Sequence, residues 1–422
     1  MTNESEVFET LSSTTSRLAN LNNAPKVGCD DVLAAFATQH ELTTKDLYQQ
    51  LSLDLDLSPT YAAEKKAIGK SGSLHNVFNR RVRWHVQTLK RLGAIEQMDR
   101  GKWRLAGSAK DVLTEAPRKQ VLVAFSTDLG IGLWANSEDV FSALQENIAL
   151  SFSSPPYPLA RERQYGNIDQ TKYVDWLCTM VEPIVKNLIP GGSIVLNLTN
   201  DIFETGLPSR SLYLERVTLA FCDRLGLSLM DRFVWENPCK PPGPFQWASK
   251  NRFQCNTGYE PVLWFTNDPA KVRSNNRRVL EPHTQTQQKL IAAGGEQRTA
   301  TYSGGAYRVH QGSFGNPTEG RIPRNILRIP HSCPDQKPAR EFANLHGIPA
   351  HPAPMPKKLS DFFVEFLTQP GDLVVDQFGG IGTTARSAET KGRRWVIVER
   401  CREYIAAAAE RFRDCSGFTA AE

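Results

Sequence analysis

The sequence predicts an α/β protein built on a mostly parallel, Rossmann-like sheet, with a helical domain of winged-helix type in front of it. Three observations carry that expectation. From about Val121 to Phe412, short apolar runs alternate with amphipathic helical runs, as a sheet covered by helices requires. Inside that region, "DLVVDQFGGIGTTARSAE" joins an apolar strand to a helix through a glycine-rich turn. Near the N-terminus, "NRRVRWHVQTLKRLG" and "AIEQMDRGKWRLA" read as a basic helix followed by a two-stranded wing.

Residues 1–27 are rich in Ser, Thr and Asn and are expected to form a flexible arm. Residues 28–115 are expected to form a winged helix-turn-helix that binds DNA. "DDVLAAFATQ" and "TTKDLYQQL" are amphipathic helices, the second with a threonine cap. In the third helix Val82, Val86 and Leu89 share one face and Gly93 supplies a C-cap, while Arg81, Gln87, Lys90 and Arg91 lie opposite. The hairpin turns at Asp99–Gly101. The same pattern also suits a small helical domain that packs on the main body or dimerises. Residues 120–415 form the α/β domain. "NIALSF", "SIVLNL", "SLMDRFVWENP" and "EPVLWFTND" read as strands; "YVDWLCTMVEPIVKNLIPGG" is a helix closed by Pro190 and two glycines, and "YLERVTLAFCDRLG" is another helix. Between 269 and 340 the periodicity fails and Asn, Gln, Gly, Thr and Arg accumulate.

Composition narrows the classes. The 422 residues carry 40% hydrophobic and 23% charged side chains, ordinary for a globular protein. No apolar run reaches the roughly 18 residues that span a bilayer. "MTNESEVFET" is polar and acidic, unlike a signal peptide. The eight cysteines are scattered with no C-x-x-C pair, which suits a reducing, cytoplasmic setting and speaks against a structural metal. The net charge is +5, but 76–104 holds eight Lys/Arg against two acids and 270–345 twelve against five. Two basic regions on an otherwise acidic chain point to a polyanion such as nucleic acid, or to two solvated surfaces.

The glycine loop is the strongest chemical feature. The apolar strand ends in Asp376, passes Phe378, Gly379, Gly380 and Gly382, and enters a helix near Thr383. The next strand, "RWVIVE", ends in Glu399, 23 positions after Asp376. Such glycines let a backbone approach a nucleoside, and a carboxylate at the next strand end can bind both ribose hydroxyls. The spacing is not G-x-G-x-x-G and an acid precedes the glycines, which favours S-adenosylmethionine over a dinucleotide.

The loop resembles the "D-P-F-x-G-x-G-T" loop of DNA amino methyltransferases, with Gln377 where proline is usual. A second motif joins it. "SFSSPPYPLA" leaves a strand through Ser154, Pro155, Pro156 and Tyr157; alone this reads equally as a stiff turn, but in the resemblance "SPPY" is the catalytic signature. An exocyclic amine is a poor nucleophile because its lone pair is delocalised into the ring. Acceptors at the Ser154 hydroxyl and the Pro155 carbonyl suit its two hydrogens, the prolines preorganise them, and Tyr157 offers a face to an extruded base.

The catalytic loop precedes the cofactor loop by about 220 residues, with the irregular basic stretch between them. That order resembles the beta class of DNA amino methyltransferases, whose motif order is circularly permuted, and is most similar to the cytosine-N4 enzymes of bacterial restriction–modification systems. The resemblance runs from Ile148 to Phe412 and implies several things. The cofactor is S-adenosylmethionine, bound by Asp376, Phe378, Gly379, Gly380, Gly382, Thr383 and Glu399, with His351 on another wall. Residues 269–340 form an inserted target-recognition region, in which Arg273, Arg277, Arg278, Arg298 and Arg308 meet DNA. Lys240, in the rigid loop "WENPCKPPGPFQW", lines the base pocket or the backbone, unless that loop is only a stiff connection. The partners implied are duplex DNA and a cognate restriction endonuclease. The segments "RVRWHVQTLKRLG" and "RGKWRLA" resemble winged-helix modules at the N-termini of some restriction-system proteins, adding Arg81, Lys90 and Arg91 as DNA contacts. Adenine N6 is the rival target within the fold, RNA a further one, and a non-catalytic DNA-binding regulator the rival from another class.

Overall fold

The computed structural model describes residues 27–38, 41–68, 73–91, 95–105, 113–159 and 168–420. The chain divides into two compact units, residues 1–111 and 112–422.

In the first unit, helix Cys29–Thr38, β1 (Glu41–Thr43) and helix Thr44–Asp54 are followed by a short turn and a hairpin of β2 (Lys65–Ile68) and β3 (Ser73–Asn76). Helix Val77–Arg91, β4 (Ile95–Asp99) and β5 (Lys102–Leu105) complete it. Thr43 caps the second helix by accepting the Asp46 N–H at 3.1 Å. The apolar stripe of the third helix is buried as its spacing requires: Phe78, Val82, Val86 and Leu89 pack on Phe36, Leu47, Leu51, Ile95 and Trp103. The wing is present as β4 and β5, antiparallel, with β1 on the outer side of β5. The β2–β3 hairpin has no sequence signal, because "KKAI" and "SLHN" are short and do not alternate. Lys90 is exposed, its Nζ 3.0 Å from Gln97 Oε1 and 5.5 Å from the Trp103 ring centre. Arg81 is half-buried and donates to the Tyr61 hydroxyl at 3.3 Å. The Arg91 side chain, Gly93 and residues 1–26 of the expected arm lie outside the described residues.

In the second unit the described strands are β6 (Val121–Ser126), β7 (Gly130–Ala135), β8 (Ile148–Ser153), β9 (Leu188–Asn197), β10 (Ser228–Glu236), β11 (Tyr259–Thr266), the small hairpin β12 (Ala300–Tyr302) and β13 (Tyr307–Val309), β14 (Ile326–Arg328), β15 (Leu373–Asp376), β16 (Arg394–Glu399) and β17 (Thr419–Ala420). All but the hairpin form one sheet in the order β14-β10-β11-β9-β8-β15-β16-β7-β6-β17. Within it only β11 and β6 run against the rest. The sheet is therefore mostly parallel.

Period-two alternation sorts the strand residues between two apolar layers. Ile194, Leu196, Leu373 and Val375 face helices Tyr173–Lys186 and Tyr213–Leu225, which bury Leu177, Val181, Ile184, Val217 and Phe221. Val195, Val374, Leu150 and Phe152 face helices Lys357–Leu367 and Thr383–Thr390, which bury Leu359, Phe363, Val364, Ala385 and Ala388. Strands β8 and β15 are buried along their whole length, as central parallel strands must be.

Two expectations change. The segment "LIPGG" does not close a helix: helix Tyr173–Lys186 ends first and β9 starts at Leu188, its pairing with β8 shifting register past Ile148. Nor is the 269–340 stretch wholly an insertion. Residues 326–328 return to the main sheet as β14, parallel to β10, and helix Lys337–His346, which follows in sequence, packs Ala339 against Ile381 and Ala407.

Candidate active site

Adjacency of β8 and β15 makes the site. They pair in parallel, so their C-terminal ends emerge side by side and bring Ser154 and Asp376, 222 positions apart in sequence, to one edge of the sheet. Both loops line a cavity of about 570 Å³, a size suited to a nucleoside-bearing ligand. Its walls include Ser154, Pro155, Pro156 and Tyr157 on one side and Asp376 to Ile381, Thr383 and Glu399 on another. His351 closes a third side, 4.8 Å from the Tyr404 ring.

The cofactor loop is held by its own carboxylates. Asp376 is buried, accepts the Phe378 N–H at 3.0 Å, and has its carboxyl pushed up to about 6 by burial. Glu399 accepts the Gly380 and Cys401 N–H groups, each at 2.7 Å, and burial raises it too. Gly380 has φ +51°, and a Cβ there would come within 3.2 Å of His351 Nε2. Phe378 lies 5.5 Å from Trp176, which with Met180 adds an apolar wall. Gly382 is not among the residues that line the cavity: at φ +72° it caps helix Thr383–Thr390, and a Cβ there would meet Phe412, Ala408 and Ile397. Thr383 lines the cavity while its hydroxyl accepts from the buried Arg411 at 3.0 Å.

Gln377 takes on a bracing role. Its Oε1 accepts the Ser151 and Ser153 hydroxyls at 2.9 and 2.6 Å, and its carbonyl accepts from Ser137. The residue standing where proline is usual thus ties the catalytic strand to the cofactor loop.

The loop of Ser154 to Tyr157 carries a polar network that sequence reasoning missed. The Ser154 and Tyr157 hydroxyls are 3.1 Å apart, and Tyr157 donates to Glu260 Oε2 at 3.3 Å. Asn197 Nδ2 lies 3.1 Å from the Tyr157 hydroxyl and 3.2 Å from Glu260 Oε2. Burial and the Glu260 charge push the Tyr157 phenol well above its ordinary range, so it stays protonated. Glu260 heads "EPVLWFTND", where one acid before an apolar strand was the available signal. Lys240 reaches this network: its Nζ is 3.2 Å from Glu260 Oε1 and 4.0 Å from Asp201 Oδ2.

The basic stretch is corrected further. Because β11 runs against its neighbours, its C-terminus delivers the chain to the sheet edge opposite the cavity. Arg273 there grips Asp372, just before β15, at 2.9 and 3.0 Å. Arg278 donates to the carbonyls of Thr368 at 2.8 Å and Arg273 at 3.2 Å. Both are scaffold contacts, and Arg277 stands exposed beside them. Arg298 and Arg308 are exposed, Arg298 3.6 Å from Glu296. An Arg273→Ala variant is expected to lose about 1 kcal/mol of stability in denaturant titrations, with DNA affinity and its salt dependence unchanged.

Parallel strands with an acid-glycine loop, a second acid one strand away and a stiff Pro155–Pro156 loop beside them define a Rossmann-like methyltransferase fold. The chain belongs to the DNA methylase family of N6 and N4 amino methyltransferases, whose model matches residues 148–410. The Mrr N-terminal domain model matches residues 29–115. The type II methyltransferase M.PvuII of Proteus hauseri is 36% identical over 294 residues, 69% of this chain and 86% of that protein. The DNA adenine methyltransferase YhdJ of Escherichia coli K12 is 24% identical over 282 residues, 66% of this chain and 80% of that one. The solved cytosine-N4-specific PvuII DNA methyltransferase superposes with a TM-score of 0.54 at 32% identity, over 68% of this chain and 88% of that one.

S-adenosylmethionine is the methyl donor of this fold and family, and the residues present fit it. Asp376 and Glu399 offer carboxylates to a ligand that bears cations and a ribose. Gly379 and Gly380 leave room for it, and Phe378, Trp176 and Met180 supply apolar surface. Bound there, it supplies an electrophilic methyl carbon. No group of metal-binding side chains occurs among the described residues, and no described helix is long and apolar enough to cross a membrane.

Proposed function

We propose that this DNA methylase transfers its methyl group to the exocyclic N4 of cytosine in duplex DNA, by direct in-line attack on a flipped base. The observation that carries the reading is Ser154. Its hydroxyl heads the Pro155–Pro156 loop on the cavity wall beside Asp376, and serine at that position suits cytosine. The names of M.PvuII's solved counterpart and of YhdJ support cytosine and adenine respectively, and the higher identity lies with the former. In this reading Ser154 and the Pro155 carbonyl bind the amino hydrogens. Asp376 faces the cationic end of S-adenosylmethionine, Glu399 holds the ribose hydroxyls, and Phe378 and His351 enclose the rest. No covalent enzyme intermediate is needed, because the nucleophile is the base itself. Exposed Arg277, Arg298 and Arg308 contribute to DNA affinity. A restriction endonuclease reading the same site is the matching partner.

The test is the product. The full chain is incubated with methyl-labelled S-adenosylmethionine and duplex DNA, and the DNA is digested to nucleosides. Labelled N4-methylcytosine is expected. N6-methyladenine moves the target to the rival base, label in RNA alone moves the substrate class, and DNA binding without label leaves a regulator.

The first unit is proposed to bind DNA through its third helix and wing, where Arg81 and Lys90 lie on the polar face. Replacing both with alanine is expected to lower the slope of log affinity against log salt by about 2, measured by fluorescence anisotropy.

A further inference from the structure

We propose that Glu260 is the terminal proton acceptor of the transfer, reached from Ser154 through the Tyr157 hydroxyl. This rests on the amino-methylation reading above. Attack by an amino nitrogen leaves it with one proton too many, and that proton needs an acceptor. The hydrogen bonds run in one direction. Tyr157 donates to Glu260 Oε2 at 3.3 Å, so the 3.1 Å contact between Ser154 and Tyr157 has Ser154 as donor. Ser154 Oγ then keeps a lone pair for the base amino group, and the carboxylate at the far end polarises the whole chain.

The balance is simple. The nitrogen lone pair forms the bond to the methyl carbon as the carbon–sulfur bond breaks, its electron pair staying on sulfur. The amino proton passes to Ser154 Oγ, the Ser154 proton to the Tyr157 oxygen, and the Tyr157 proton to Glu260 Oε2. Every hydroxyl ends as it began, and Glu260 becomes neutral. Its side chain is 18% exposed, so the proton can then leave to water.

The surroundings hold Glu260 in place. Lys240 comes from the loop after β10, with Nζ 3.2 Å from Oε1, and Asn197 from the end of β9, 3.2 Å from Oε2. Asp201 lies 4.0 Å beyond the lysine and is itself paired with Arg210 at 3.2 Å, while Tyr213 adds a further neutral phenol nearby. Lys240 and Asn197 are positioning residues in this arrangement.

Single-turnover methylation from a preformed ternary complex of the full chain tests the relay. Glu260→Gln keeps the size of the side chain and is expected to slow the step 10²- to 10³-fold, within the usual range for proton transfer by a side chain. DNA and S-adenosylmethionine dissociation constants, read by anisotropy and by calorimetry, are expected to stay within threefold. Tyr157→Phe, which keeps the ring, is expected to show the same loss of rate, and the double variant to be no slower than either single one. A Glu260→Gln rate within threefold of wild type, or a loss that tracks weakened DNA binding, overturns the relay and leaves the methylase reading intact. A wild-type chain that methylates no base fails the earlier reading instead.

Discussion

Replacing Ser154 with alanine is expected to lower the rate of methyl transfer 10²- to 10³-fold while cofactor affinity stays within about twofold. The hydroxyl lies on the cavity wall, but the cofactor loop is braced independently of it. Glu399 holds the Gly380 N–H, Asp376 holds the Phe378 N–H, and Gln377 receives Ser151 and Ser153, not Ser154. Removing Ser154 therefore deletes an acceptor that strengthens as the amine loses its conjugation and leaves the rest of the pocket standing. Rapid-quench kinetics and calorimetry separate the two effects. Undiminished transfer would sink the catalytic assignment of the "SPPY" loop, and a parallel loss of cofactor binding would recast the residue as structural.

The second large effect belongs to Asp376. Burial raises its carboxyl from 3.8 to about 6, so the folded chain binds that proton more tightly than the unfolded chain does. Its contribution to stability is thus fully present below about pH 4 and is lost as pH rises through about 6. Without cofactor at pH 8, the protein carries a buried charge that costs on the order of 2–3 kcal/mol. Asp376→Asn removes the charge and keeps an oxygen for the Phe378 N–H. The variant is expected to melt several degrees higher than wild type at pH 8, with the difference gone near pH 4. It is also expected to bind S-adenosylmethionine about 100-fold more weakly, because the cationic ligand loses its carboxylate. The wild-type affinity should itself fall below pH 6, where a proton competes with that cation. Melting curves across pH and calorimetric titrations decide the matter. A variant that melts lower at pH 8, or that binds within threefold, would reverse the account.

Together these effects describe a site that spends stability on function, a pattern familiar from charged residues held ready for a ligand. On these expectations the buried Asp376 carboxylate costs the free protein stability that a cationic ligand would restore. The network of Ser154, Tyr157, Asn197, Glu260 and Lys240 keeps polar groups buried or half-buried at the sheet edge, where hydrogen bonds and the Lys240–Glu260 ion pair offset part of their desolvation.

Much of this was legible in the chain itself. Apolar alternation along "NIALSF", "DLVVD" and "RWVIVE" specifies the central strands, because residues buried on both faces must be apolar throughout. The glycines at 379 and 380 and the acids at 376 and 399 specify a nucleoside loop, since local backbone chemistry decides where a ligand can approach. The stripe of Val82, Val86 and Leu89 fixes the third helix of the first unit, and Thr43 its second.

What only the tertiary structure decided are the relations between distant segments. Arg273 and Arg278 looked like DNA contacts by charge. The reversed direction of β11 carries them to the far edge, where Asp372 and the Thr368 carbonyl take their guanidinium groups. Gly382 belongs to the loop by motif, and only the fold shows that it stands off the cavity wall, packed close to Phe412, Ala408 and Ile397. Glu260, 106 positions beyond Ser154, had no spacing to announce it. Local patterns specify elements and loops because their causes lie within a few residues. Which side chains meet depends on strand order and direction, and that is settled only when the sheet closes.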